Sequence, residues 1–158
     1  MKIPFFHTEH FTSEELTYSA RARQENFKNE PYTREDAEEV SKNLRSLCIK
    51  VLEPLRIMWG APIIVTSGYR NPRLNKLVGG AETSQHLIGQ AADITSRDRL
   101  QNNRLFTRLL WSGMSFDQLI AEDVDEFNCP TWIHVSYRRD GKNRNQVIIN
   151  RKSLNSKS

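Results

Sequence analysis

The sequence predicts an α+β fold in which N-terminal helices pack on an antiparallel sheet. Three observations carry that prediction. Before Gly60 the apolar residues Val40, Leu44, Leu47, Cys48, Val51, Leu55 and Met58 recur at three- and four-residue steps, the stripe of a core-facing helix. After Gly60 the apolar residues gather in short β-branched runs bounded by turn residues, the pattern of strands. Finally, 158 residues with 37% hydrophobic and 27% charged side chains describe one globular domain able to bury a sizeable core.

Taken in order, Thr12 with Glu15 makes a capping box, so a first helix is expected from Ser13 to about Ala22. Gln24 to Tyr32 is polar, contains Pro31 and reads as a loop. Thr33 then caps the long striped helix, which Pro54 should kink and Gly60 should end. Ile63–Thr66 is the first expected strand and runs into the turn Ser67-Gly68-Tyr69-Arg70. The Gly79-Gly80 pair marks a tight or mobile loop, and Ala91–Ile94 is a second strand. Ser96 or Asp98 opens a helix that runs to about Trp111. Three further strands follow at Gln118–Ala121, Trp132–Tyr137 and Gln146–Ile149, the last two expected to form a hairpin through Asp140-Gly141. The domain is thus expected over 1–150, followed by a Ser/Lys-rich tail, 151–158, expected to be disordered.

Composition narrows the function. No apolar run approaches the roughly 20 residues of a membrane helix, and the start Met1-Lys2-Ile3-Pro4-Phe5-Phe6 is too short and too soon polar for a signal peptide. Synthesis in the cytoplasm is therefore expected. Cys48 and Cys129 are too few for a disulfide framework and lack metal-pair spacing; a bridge between them is open, and Cys48 falls on the apolar stripe. The net charge of +4 gathers late, at Arg138, Arg139, Lys142, Arg144, Arg151, Lys152 and Lys157. Such a face suits a solvated surface or an anionic polymer, but no aromatic interleaving or motif singles out nucleic acid.

The most informative stretch is Ser84-Gln85-His86-Leu87-Ile88-Gly89-Gln90-Ala91-Ala92-Asp93, with His134 following in Trp132-Ile133-His134-Val135-Ser136. Two imidazoles and a carboxylate suit Zn²⁺, and three protein ligands leave a fourth position for water, as catalytic zinc requires. His7 and His10 sit in a polar N-terminal stretch and read as exposed residues, not ligands.

The ordered string Ser-x-His-x-x-Gly-x-Ala-x-Asp, followed by a His in an apolar strand, resembles the zinc D-Ala-D-Ala peptidases, the M15 metallopeptidases, in their small bacterial and phage form. Ser67-Gly68-Tyr69-Arg70, Leu74-Asn75 and Val78-Gly79-Gly80-Ala81 resemble that family's approach to its first ligand. Phe11-Thr12-Ser13-Glu14-Glu15-Leu16 and Val51-Leu52-Glu53-Pro54-Leu55-Arg56 resemble its N-terminal helices. The resemblance runs from about Phe11 to about Ile149. It implies a hedgehog/DD-peptidase-like fold, Zn²⁺ held by His86, Asp93 and His134, and an Arg70 that steadies negative charge on the tetrahedral intermediate. It also implies substrate contacts at Ser84 and Tyr69. The implied substrate is a bacterial peptidoglycan peptide, cut at D-Ala-D-Ala or at an internal bond such as L-Ala-D-Glu by a monomer. A phage origin would have a holin release the enzyme to the cell wall.

One departure stands out. The family places its acidic base three residues before the second histidine, and this sequence has Thr131 there, which cannot accept a proton at neutral pH. Glu122 is the expected replacement, because it ends the strand that should pair with the one carrying His134; Asp123, Asp125 and Glu126 are rivals. The missing acid also leaves open a zinc-containing wall-binding domain without turnover.

Overall fold

The computed structural model describes residues 1–151. The first helical signal resolves into two short helices, α1 at Ser13–Thr17 and α2 at Ala20–Gln24. A single helix to Ala22 does not form, because Tyr18 turns extended (ψ 137) and the Ser19 hydroxyl starts afresh, accepting from the Ala22 amide at 3.1 Å. Thr12 caps α1 in the same way, accepting from the Glu15 amide at 3.1 Å.

Behind its Thr33 cap, α3 spans Arg34–Leu47 and runs through one wide π-helical turn, Cys48–Leu52, into α4 at Glu53–Trp59. Pro54 accounts for the widening. It has no N–H to give the Lys50 carbonyl and its ring crowds that oxygen, so the Glu53 amide reaches back to Cys48 instead. The stripe lies as the periodicity predicts: Val40, Leu44, Leu47, Cys48, Val51 and Leu55 are buried, with Leu52 beside them, while Met58, its last member, reaches the surface. Both cysteines are free thiols. Burial, with the charges of Glu53 and Glu15, pushes the Cys48 thiol up to about 12, so it behaves as a small hydrophobe.

The strands β1 (Ile64–Ser67), β2 (Ala91–Thr95), β3 (Gln118–Val124), β4 (Trp132–Ser136) and β5 (Gln146–Arg151) form one sheet in the order β1-β2-β4-β3-β5. Between them lie α5 (Pro72–Leu77), a 3₁₀ turn at Gln85–Ile88 and α6 (Arg99–Leu110), the last capped by Asp98. The fold is α+β. Each neighbouring pair among β1, β2, β4 and β3 is antiparallel, as expected. The expected β4–β5 hairpin is not present, because β4 already has a partner on each side, β2 and β3. The chain does reverse near Gly141, but it passes the end of β3 and pairs parallel with that strand's open edge, Gln118 opposite Gln146 and Ile120 opposite Ile148. β5 also runs to Arg151, one residue into the segment expected to be a tail; 152–158 lie outside the described residues.

Strand alternation sorts the sheet into two faces. Ala92, Ile94, Leu119, Ala121, Ile133 and Val135 point into the helical core with Leu16, Leu44, Leu52, Leu105 and Leu109. The intervening residues, Asp93, Gln118, Ile120, Glu122, Trp132 and His134, face a cavity on the other side. Asn102, almost wholly buried on α6, donates to the carbonyls of Pro130 (3.2 Å) and Thr131 (3.0 Å), which fixes the chain just before it enters β4.

Candidate metal centre

Three elements converge on this cavity. Asp93 on β2 lies directly opposite His134 on β4 in the antiparallel register. His86 comes from the 3₁₀ turn, which Ser84 caps by accepting from the His86 amide at 3.2 Å. Gly89 ends that turn with φ 77, and a side chain there would meet the Val40 carbonyl at 2.8 Å, so glycine is needed for the turn to lie against α3.

The three side chains are buried, and their ligand atoms lie within 4.8 Å of one another. Asp93 Oδ1 is 3.3 Å from His86 Nε2 and 3.1 Å from His134 Nδ1. His86 Nδ1 lies 2.6 Å from the Gly68 carbonyl, which can only accept, so Nδ1 carries a hydrogen and Nε2 is the nitrogen turned toward Asp93. That is the arrangement in which a ligating histidine is oriented by a backbone carbonyl. Burial pushes the Asp93 carboxyl upward, but hydrogen bonds from His134 and His86 outweigh it and hold the group well below the ordinary carboxylate range. An ionised carboxylate and two imidazoles sharing one buried point fit a divalent cation by donor type and spacing.

Arg70 braces the centre. Its Nη2 donates to Asp93 Oδ2 (3.2 Å), its Nε to Ser67 Oγ (3.1 Å) and its Nη1 to Asn75 Oδ1 (3.3 Å). The side chain is largely buried and lines the cavity. Ser84 and Glu122 line it too. Tyr69, expected to touch substrate, is not among the residues lining this cavity: it is 3% exposed in the core, and burial together with the charge of Asp36 pushes its hydroxyl upward. The backbone reason is simple. The Tyr69 amide donates to Leu16 at 2.8 Å, which turns that residue toward α1 while its neighbour Arg70 faces Asp93.

The four acids near Thr131 separate cleanly. Glu122 Oε1 accepts from Asn150 Nδ2 at 2.6 Å, and its side chain is on the cavity face. Asp123, with φ 49 at an irregularity in β3, accepts from the Thr131 hydroxyl at 2.8 Å and pairs with Arg99 at 3.8 Å. Asp125 holds the turn below it, accepting from the Phe127 and Cys129 amides at 2.9 and 3.0 Å. Asp123, Asp125, Glu126 and Thr131 are not among the cavity's lining residues.

The sequence reading missed Gln85, Gln118, Trp132 and Arg144, which also line the cavity. Strand alternation from Glu122 and His134 implies Gln118 and Trp132; nothing local signals Arg144. Two larger clefts, one under the N-terminal segment and one between α4 and α6, contain none of the grouped ligand residues. His10 is engaged with Glu53 at 2.8 Å, at the start of α4.

The geometry defines a buried two-histidine, one-aspartate centre open to a surface cleft of about 400 Å³, the architecture of a metallohydrolase. The Peptidase M15 family model matches residues 9–136, most of the chain and every residue of the centre, and the protein belongs to that family of metallopeptidases. A search of curated proteins finds no match.

Proposed function

We propose that this protein is a zinc-dependent peptidase that hydrolyses peptide bonds of bacterial peptidoglycan. The observation that carries the reading is the convergence of His86 Nε2, Asp93 Oδ1 and His134 Nδ1 at one buried point beside Arg70 and Glu122. Zinc held there would polarise the scissile carbonyl and make the attacking water more acidic.

The remaining work falls to the chain's own side chains. Glu122 takes the proton from the attacking water and returns it to the leaving nitrogen, so the proton inventory closes without Thr131. The Asn150 amide at 2.6 Å holds the Glu122 carboxylate in place through one oxygen. Arg70 supports charge on the carbonyl oxygen as it develops, while its contact with Asp93 keeps that carboxylate aimed at the metal. Ser84 and Trp132 form part of the walls against which the peptide lies.

Two bonds suit the reading, a D-Ala-D-Ala terminus and an internal link such as L-Ala-D-Glu. A rival without turnover, a zinc-containing wall-binding domain, is favoured by the placement of Thr131 outside the cavity where the family has its acid. Incubating the zinc-loaded protein with purified peptidoglycan and weighing the released fragments by mass spectrometry separates the readings and names the bond. Fragments whose ends identify one cleaved bond, lost with His134→Ala, are expected. Intact peptidoglycan of several chemotypes would leave the binding domain as the account.

A further inference from the structure

Arg144 belongs to no strand and precedes β5, yet its side chain lines the cavity. It is held there by Asp117, which is 1% exposed and sits at the foot of β3. Asp117 Oδ1 accepts from the Arg144 amide (3.0 Å) and from Nε (3.0 Å), and Oδ2 accepts from Nη2 (2.8 Å) and from Gln85 Nε2 (3.0 Å). Gln85 is the neighbour of His86, so one buried carboxylate ties the arginine to the segment that carries a metal ligand.

A guanidinium has five N–H donors in one plane. Asp117 uses one on Nε and one on Nη2. Three are left: the second on Nη2 and one on Nη1 lie side by side as a two-donor edge, the other on Nη1 points away from it, and none has a partner among the described residues. The side chain is 54% exposed, so that edge is open to a ligand. Its geometry matches two acceptor oxygens in a plane and offers nothing to a donor. Because Asp117 already offsets the charge, discrimination rests on the directional fork more than on the field.

The sheet register says where such a ligand group would lie. Along the cavity face of β3 run Gln118, Ile120 and Glu122. Ile120 is opposite His134, and Glu122 is opposite Trp132. Arg144, anchored at Asp117, therefore stands at one end of the row, the metal ligands in the middle and Glu122 at the other end. A peptide crossing the centre would present its scissile bond to the middle and a flanking group to Arg144.

We propose that Arg144 is a specificity-determining residue, its outward guanidinium edge receiving a carboxylate of the substrate peptide on the side of the cleaved bond away from Glu122. The proposal rests on the peptidase reading for the word substrate, but its test is a binding measurement. In a peptidoglycan stem the carboxylate has two sources, the C-terminus of D-Ala-D-Ala and the free carboxyl of D-Glu.

The probes are N-acetyl-L-Lys-D-Ala-D-Ala with its C-terminal amide, and N-acetyl-L-Ala-D-Glu with its diamide. Each is titrated calorimetrically into the zinc-loaded full chain, with KM read in place of Kd wherever a peptide is cleaved. For one pair, the acid should bind about 10- to 100-fold more tightly than the amide, the range expected of hydrogen bonds to a charged group. That pair names the source. Arg144→Gln should bring the acid down to the amide's affinity with little change in kcat. The variant strands the buried Asp117 carboxylate, so Asp117→Asn/Arg144→Gln is measured beside it and should show the same loss with the fold intact. Arg144→Lys, which keeps the ion pair without the fork, should recover only part. Equal affinity for acid and amide in both pairs, or a preference that survives in the double variant, would overturn the proposal. An Arg144-dependent preference in a protein that cleaves neither probe nor peptidoglycan would leave it standing and remove the peptidase reading.

Discussion

Gly68 offers a sharp mechanical test of how the metal centre is held. Its carbonyl orients His86 at 2.6 Å, and the adjoining Tyr69 amide is tied to the Leu16 carbonyl at 2.8 Å. A Cβ built on Gly68 would stand 2.0 Å from that same Leu16 oxygen, about 1.4 Å inside ordinary contact. Both partners are backbone, so no side chain can swing away; the Gly68 segment must retreat from α1 and take its carbonyl with it. Overpacking of this kind costs about 1–3 kcal/mol of stability. Loss of the orienting acceptor costs about 10- to 100-fold in metal affinity, or roughly 1.4–2.7 kcal/mol. Gly68→Ala should therefore melt at lower temperature and also yield zinc to a competing chelator at lower chelator concentration. Leu109→Ala, which opens the core on α6, is the control: it should lose roughly 2–5 kcal/mol of stability while holding zinc as the wild type does. If Gly68→Ala and the wild type surrender zinc at the same chelator concentration, the carbonyl does not orient His86 and the reasoning fails.

Two further predictions follow from named contacts. Glu122→Gln should keep zinc and the fold while turnover of peptidoglycan falls by about 10²- to 10⁴-fold, the share a general base supplies; a wild-type rate would move the base elsewhere. Asp117 is held below the ordinary carboxylate range, chiefly by the Arg144 hydrogen bond, so its contribution to stability is present above about pH 4 and lost as pH falls through its folded value. Asp117→Asn should thus be less stable than wild type by about 1–3 kcal/mol at pH 7, with the difference shrinking in denaturant melts as the solution is acidified; a gap that widens in acid would contradict the assignment.

Much of this fold was legible because its signals are local. Thr12, Thr33 and Asp98 each accept from the amide three residues on, a contact that depends on nothing distant. The α3 stripe and the strand runs Ala91–Thr95 and Trp132–Ser136 follow from periodicity in the same way. What failed was pairing and direction. The turn at Asp140-Gly141 correctly signals reversal, but with both sides of β4 taken β5 joins the open edge of β3, and that is a property of the whole topology. Tyr69 and Arg70 are neighbours in one recognisable segment, yet hydrogen bonding to Leu16 sends one to the core and leaves the other on Asp93. The grouping of His86, Asp93 and His134 was legible because the first two lie in one patterned string and the third in a short apolar strand. Arg144 was not, since only the path of the chain past β3 brings it to Asp117.

The central claim is that His86, Asp93 and His134 together hold the catalytic metal. Its most direct test is the metal content of purified protein after zinc loading and exhaustive dialysis, measured by atomic emission on the wild type and on His86→Ala/His134→Ala. The account predicts one zinc per wild-type chain and none retained by the double variant, with both proteins giving the same circular-dichroism spectrum. One tightly held zinc in the folded double variant would contradict it.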